Sequence, residues 1–418
     1  MSTLAIILDK SSFQMLNIDE IVMLHNYFLP CITPVLVMEV LADLKKEEEE
    51  GKSSKEKVIL LAKKLLPYKS EVNIHYPRLI EMNLRGDKLS LDNRPVVGDI
   101  IIKQSASGQM GFYHTQSAEE KALGQWREGK FSKTEELTAQ LWRDVTTEKD
   151  ILVNLQQQLK KEDAGTVKLK TLEQVGNYVD EVLTNPDNQK GLLQFCIDEF
   201  GINAESANET FARWEQYPDK RFSSFAPYAY HCCRVKLFFY LGLKNDLIGT
   251  KPTNHVDLQY LYYLPFSLIF SSNDNFHKKV ISLLMGEHHT FVTGEELKMA
   301  LKELISYRET LSEKKDIERT LKEPPQIPSN LICQIWSKYL GWPSKYKREI
   351  SEKEMDEQKK KFEEFIAAKE VPGKTGVMDD PEFIVKEYFL NPDDLCPCGS
   401  GKKLGECHAK NYAGSKSD

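Results

Sequence analysis

Apolar and polar positions along the chain change period several times, and each change marks an element. Residues 4–8, Leu-Ala-Ile-Ile-Leu, are an unbroken apolar run that ends at Asp9. A run this short and uninterrupted predicts a strand covered on both faces. Residues 19–28 repeat their apolar positions at helical spacing, and Leu29–Ile32 predicts a second short strand. Thr33-Pro34 places an N-cap before a proline at the first helical position, so a helix runs from Pro34 through Glu39 to Asp43. Much later the same alternation returns. Residues 257–264 predict a short helix stopped by Pro265, Ser267–Ser271 a strand ending near Asp274, and Thr290–Val292 another strand. Thr293-Gly-Glu-Glu296 is a capping box that opens a helix reaching Lys322.

Between these two stretches the chain is mostly helical in pattern and shows no internal repeat. A hairpin is predicted within Val96–His114, where Ile100-Ile101-Ile102 and Gly111-Phe112-Tyr113 flank a Ser/Gly-rich turn. After the second stretch, Pro324-Pro325-Gln-Ile-Pro328 reads as a linker and Ser351-Glu-Lys-Glu354 as a further capping box. The helix behind that box sets Met355, Phe362 and Ile366 on one stripe. Gly373-Lys-Thr-Gly is a second joint, and Asp380-Pro381 caps a last short helix ended by Asn391-Pro392. Gly51-Lys-Ser and Gly373-Lys-Thr lack the glycine five residues earlier that a phosphate-binding loop needs, and neither follows a strand.

Composition narrows the class without choosing a function. With 418 residues, 41% hydrophobic and 28% charged, the chain has the make-up of a globular protein with a sizeable core. Lys plus Arg is 56 and Asp plus Glu 63, a net charge of −7, which excludes a generic basic coat for nucleic acid but not a single local groove. No apolar run reaches the ~18 residues of a membrane helix. The first apolar run has no basic region before it, so it is not read as a signal peptide. The expectation is a cytoplasmic protein without membrane contact.

Eight cysteines divide into two groups. Cys31, Cys196, Cys232, Cys233 and Cys333 are scattered and are expected to be buried thiols, since free cysteine packs as a small hydrophobe. The adjacent His231-Cys232-Cys233 falls under the same expectation, because neighbouring residues cannot easily share one ion. Cys396, Cys398 and Cys407 instead crowd together with His408, at the spacing C-x-C-x8-C-H. Three thiolates and one imidazole complete a tetrahedral zinc site with no vacant position, so the zinc is expected to be structural. Lys402 and Lys403 offset its net negative charge. This segment resembles the SEC-C motif, a zinc knuckle appended to many bacterial proteins. The resemblance implies docking to a protein partner or to nucleic acid.

Four acids stand in matching contexts: Asp9 just beyond the first strand, Glu39 in the helix after the second, Asp257 at the start of a short helix and Asp274 after the strand Leu268–Phe270. In a parallel sheet the carboxyl ends of the strands share one edge, and ligand sites form there. A cluster of carboxylates on that edge repels itself and is stabilised by cations such as Mg²⁺ or Mn²⁺. Each acid taken singly also suits an N-cap. Ser11, Ser12 and Asn273 flank the acids as hydroxyl and amide donors, and Asp43 lies one turn beyond Glu39. Lys220-Arg221-Phe-Ser-Ser-Phe-Ala-Pro-Tyr-Ala-Tyr-His-Cys-Cys-Arg234-Val-Lys236 interleaves cations with aromatics, a composition that suits a single strand held by phosphate contact and stacking. It equally suits a helix packing its aromatics inward.

Leu-Asp9-Lys-Ser-Ser with Thr-Pro-Val-Leu-Val-Met-Glu39-Val-Leu-Ala-Asp-Leu resembles the opening of a PIN-domain nuclease. His-Val-Asp257-Leu-Gln-Tyr-Leu with Ser-Leu-Ile-Phe-Ser-Ser-Asn-Asp274 resembles its closing half. The resemblance covers roughly residues 3–45 and 255–293. It implies an α/β fold with a PIN-like parallel sheet, split by a mainly helical insertion. In that reading residues 1–50 are the first half of the core and 51–250 the insertion. Residues 251–322 are the second half, 323–390 a linker and helical extension, and 391–418 the zinc knuckle. It further implies that Asp9, Glu39, Asp257 and Asp274 bind catalytic Mg²⁺ or Mn²⁺ and hydrolyse phosphodiesters, of RNA rather than DNA. Ser11, Asn273, Lys220, Arg221 and Arg234 are then the substrate contacts. Toxin, phage-defence and RNA-processing roles all fit this architecture. The alternatives are a non-catalytic adaptor of the same fold, and a haloacid-dehalogenase-type phosphatase built on Asp9. The phosphatase needs a second Asp two residues later, where this chain has Ser11.

Overall fold

A computed structural model describes residues 4–46, 53–65, 71–98, 100–104, 110–114, 117–148, 150–161, 168–343, 402–403 and 406. Of the linker and helical extension expected over 323–390, residues 323–343 are described and include a helix, Leu331–Leu340, while residues 344–390, with the capping box and apolar stripe, lie outside the described residues.

The chain is mixed α/β and centres on one parallel sheet of five short strands. These are β1 (Leu4–Leu8), β2 (Phe28–Ile32), β3 (Glu71–Val72), β6 (Ile269–Ser271) and β7 (Thr290–Val292), in the order β3-β2-β1-β6-β7. The remaining two strands, β4 (Ile100–Gln104) and β5 (Met110–His114), pair only with each other as the expected antiparallel hairpin. All five residues of β1 are buried, because helices cover both faces of the sheet, and this is why its sequence is a continuous apolar run. Its register is double: Ile6 sits opposite Pro30 on one side and Ile269 on the other.

From β1 the chain crosses over through helices Lys10–Met15 and Ile18–Tyr27 to β2, and later reaches β3 on the same side. The return comes from the other direction. β6 lies on the opposite flank of β1, and helix Asn275–Leu284 carries the chain outward to β7. The sheet order therefore reverses between β1 and β6. In an open parallel sheet that switch point leaves a crevice beyond the carboxyl ends of the two strands.

Local sequence explains most helix starts. Thr33 caps helix Pro34–Ala42 by accepting from Leu36 N, with proline at the first position. Thr293 and Glu296 form the expected capping box for helix Gly294–Glu309. That helix ends at Glu309 rather than near Lys322. Thr310 turns its hydroxyl back onto the Tyr307 carbonyl, and a separate helix, Lys314–Thr320, folds back. Arg308 and the Tyr27 hydroxyl both donate to the Thr320 carbonyl and pin this return.

The stretch expected as an insertion is not isolated from the sheet. It supplies the edge strand β3, and its buried residues belong to the same apolar core as β1 and β6. Asn83, from helix Tyr76–Arg85, accepts from Tyr228 N and Ala229 N and so caps helix Pro227–Lys244. The scattered cysteines are all free and buried. Among the described residues, no helix is long and apolar enough to cross a membrane.

Candidate functional site

Asp9 and Asp274 reach the switch point from β1 and β6. Each is also the N-cap of the helix that follows its strand: Asp9 accepts from Ser12 N and Asp274 from Phe276 N. The ladder between the strands continues into the site, since Asp9 N donates to Ser271 O at 3.0 Å. Glu39 comes from helix Pro34–Ala42 and Asp257 from helix Asn254–Leu261.

Asp9 is almost fully enclosed by donors. Ser11 Oγ lies 2.8 Å from both carboxylate oxygens, Ser12 N 2.8 Å from Oδ1, and Ser272 Oγ 2.5 Å from Oδ2. His277 Nδ1 stands 3.5 Å from Oδ2. Burial pushes the Asp9 carboxyl up, but the His277 contact and charge, with the Ser12 and Ser272 donors, outweigh it and hold the group below its ordinary value. Glu39 accepts from Tyr260 OH at 2.5 Å. Its carboxyl is raised, by burial first and by the negative charges of Asp9 and Asp43, against the pull of Lys10 and Tyr260. Asp257 has a buried Oδ2 without a hydrogen-bond partner. Burial pushes Asp257 up to about 7, and Asp274 and Glu39 add repulsion that His277 partly offsets. The outer oxygen of Asp274 lies 3.4 Å from Lys251 Nζ, a mostly exposed lysine.

The four acids thus form one electrostatic neighbourhood: Asp9 acts on Glu39, and Glu39 and Asp274 act on Asp257. As the side chains stand, no group of three or more His, Cys, Asp or Glu among the described residues is placed to hold a metal ion. The reason is visible in the bonding. Asp9 is taken by hydroxyls, an amide and an imidazole, Glu39 by a phenol, and Asp274 by its cap and a lysine.

The flanking donors act on the acids themselves. Ser11 bonds Asp9 and accepts from Asn273 N at 2.9 Å. The Asn273 side chain points to the neighbouring helix, where its Oδ1 accepts from Gly294 N at 2.8 Å. Ser12 is fully buried and takes a hydroxyl contact from Ser271. Asp43 is fully buried, not solvated, and its Oδ1 lies 2.7 Å from both Lys10 Nζ and Lys46 Nζ. Lys10 also donates to the Glu39 carbonyl at 2.7 Å, tying the helix after β1 to the helix that carries Glu39.

The cation-aromatic stretch packs inward. Phe222, Phe225 and Tyr228 are buried, and its cations are engaged elsewhere. Lys220 donates to the Trp214 and Glu215 carbonyls, and exposed Arg221 pairs with Asp219. Arg234 pairs with Asp180 and donates to Leu283 O at the far end of helix Asn275–Leu284. Nine residues separate Leu283 from Asp274, about 14 Å along a helix axis. The structure does not bring Arg234 to the acids.

Three residues at this edge escape the sequence reading: Lys10, Tyr260 and Ser272. His277, three residues past Asp274, reads from sequence as a surface histidine or a phosphate contact and is instead fully buried. Tyr260 was signalled by its position three residues after Asp257, on the same helix face. His277 belongs to the buried stripe Phe276, His277, Val280, Ile281 and Leu284, a helical period that runs through it.

Residues 394–410 match the SEC-C motif. Cys396, Cys398, Cys407 and His408 lie outside the described residues. Comparison with curated proteins and with solved structures finds no match for the chain.

Proposed function

We propose that the protein is a PIN-like, divalent-metal-dependent nuclease acting on RNA, with a SEC-C knuckle in which Cys396, Cys398, Cys407 and His408 hold a structural zinc. The observation that supports this most is the meeting of two acids at the β1/β6 switch point, with Glu39 and Asp257 supplied from flanking helices. The donor set is all hard carboxylate oxygen, which suits Mg²⁺ or Mn²⁺. The orphaned Asp257 Oδ2 and the raised Glu39 and Asp257 carboxyls mark a cluster short of positive charge. Asp9, Glu39, Asp257 and Asp274 would hold a divalent cation, which would supply charge neutralisation and an activated water for phosphodiester hydrolysis. Within the chain, Ser11 and Ser272 orient Asp9, Tyr260 orients Glu39, and Lys251 is the exposed cation beside Asp274 that a phosphate would meet.

The second reading is an adaptor without catalysis. It is favoured by the full set of protein donors already on Asp9. The two are separated by cleavage of single-stranded RNA and DNA, with Mn²⁺ or with chelator, by the wild type, Asp9→Asn and Asp274→Asn. Asparagine is itself a good N-cap, so both variants keep their helix starts. The nuclease reading expects RNA cleavage by wild type alone and none in chelator. Activity that survives chelator or Asp9→Asn refutes it.

A further inference from the structure

We propose that His277 is the positioning residue of the acidic edge: one buried ring that fixes Asp9 through Ser272 and fixes the helix bearing Asp257 through its backbone. The kinetic part of this role rests on the nuclease reading above, and the structural part does not.

His277 is completely buried on the first turn of helix Asn275–Leu284. Both ring nitrogens are engaged. Nε2 lies 2.7 Å from the Asp257 carbonyl oxygen, and Nδ1 lies 2.7 Å from Ser272 Oγ. A carbonyl oxygen only accepts, so Nε2 carries a proton and donates to it. On the other arm, the Ser272 hydroxyl donates to Asp9 Oδ2 and accepts from Asp274 N at 3.0 Å. One hydroxyl therefore connects Asp9, the imidazole and the backbone of Asp274.

The ring itself has little freedom to move. Phe270 meets it edge-on with centroids 5.0 Å apart, and Tyr260 does so at 6.0 Å. Tyr260 is also the residue that holds Glu39. The segments that present all four acids thus touch this ring directly or through one side chain: the end of β1, the turn after β6, helix Asn254–Leu261 and, by way of Tyr260, helix Pro34–Ala42. A residue in that place sets the spacing of the acids without contacting substrate.

The test uses two substitutions that each keep one arm. His277→Asn places an amide near the Nδ1 position and retains the Ser272 side. His277→Gln reaches the Nε2 position and retains the Asp257 side. Urea unfolding of the full chain in chelator is measured first, for Asp9→Asn, His277→Gln and the pair. Both act through the same hydroxyl, so their losses in midpoint should not add. Additive losses overturn the proposal, and if His277→Gln does not fold, His277→Leu, which also drops the Ser272 side, carries the cycle. With Mn²⁺ and single-stranded RNA, the folded variants should lose ~10–100-fold in kcat with KM unchanged, and Mn²⁺ affinity measured by calorimetry should fall in His277→Gln. Wild-type kcat in a folded His277→Gln protein also overturns it. A wild type that cleaves nothing sinks the nuclease reading instead, and the unfolding cycle still decides the role of His277.

Discussion

Gly294→Ala gives a stability change whose sign separates two accounts of the same residue. Gly294 is the first residue of helix Gly294–Glu309. By propensity alone, replacing a helical glycine with alanine stabilises by roughly 0.5–1 kcal/mol. The packing says the reverse. A Cβ at Gly294 would lie 2.7 Å from Asn273 Nδ2, 2.7 Å from Ser12 Oγ and 3.1 Å from Ser12 Cα. Carbon contacts are comfortable only from ~3.5 Å, so the neighbours must give by about half an ångström or more. Ser12 has little room to retreat, because its N–H is bonded to Asp9 and its hydroxyl accepts from Ser271. Overpacking of this kind costs ~1–3 kcal/mol, which leaves a net loss of about 0–2.5 kcal/mol after the propensity gain. Urea unfolding in chelator reads this as a lower midpoint at unchanged slope. The push is transmitted through Ser12 to Asp9, so on the nuclease reading cleavage by the folded protein should fall as well. An alanine variant more stable than wild type refutes the close approach between this helix start and the acid edge.

Two further outcomes follow from charge and metal. Asp257 is raised from the ordinary 3.8 to about 7. Between those values the folded chain holds a proton that the unfolded chain has released, so stability drains away as pH rises through that window. Asp257→Asn should therefore raise the melting temperature in chelator at pH 8 and change it little at pH 4; equal shifts at both would contradict the raised carboxyl. Cys396→Ser should remove about one zinc per chain by metal analysis while leaving the melting of the sheet domain in place. Unchanged zinc content would count against the knuckle.

The central sheet is readable in the sequence where burial is complete. β1 has both faces covered, so its five residues form an apolar run with no alternation to obscure it. β6 is only three residues long, yet Ser-Leu-Ile-Phe-Ser before Asp274 carries the same signal. β3 is two residues, Glu71-Val72, and has no pattern of its own; the existing sheet edge makes it a strand. Among the acids, residue type and placement relative to strands were enough to bring Asp9 and Asp274 to the adjoining ends of β1 and β6. What holds them there was harder to read. His277 is followed by Lys278 and Lys279, which suggests a surface position, and only contacts with Phe270 and Tyr260 from other elements bury it. The Lys220–Lys236 stretch shows the opposite ambiguity. Cations between aromatics look alike whether the rings face a nucleic acid or a core, and here Phe222, Phe225 and Tyr228 face the core.

The pairing of β1 with β6 also governs when the site comes into being. Asp9 and the Ser272 that holds it are 263 positions apart. A ribosome adding about 5–20 residues per second needs roughly 13–50 s to cover that distance. During that interval β1 has left the tunnel, but the strand that completes its edge has not yet been made. Helices of local sequence can form early, whereas the central pairing must wait for a very long loop to close. The acids of the two halves remain strangers until that closure. On the nuclease reading, the nascent chain is inert for at least that interval.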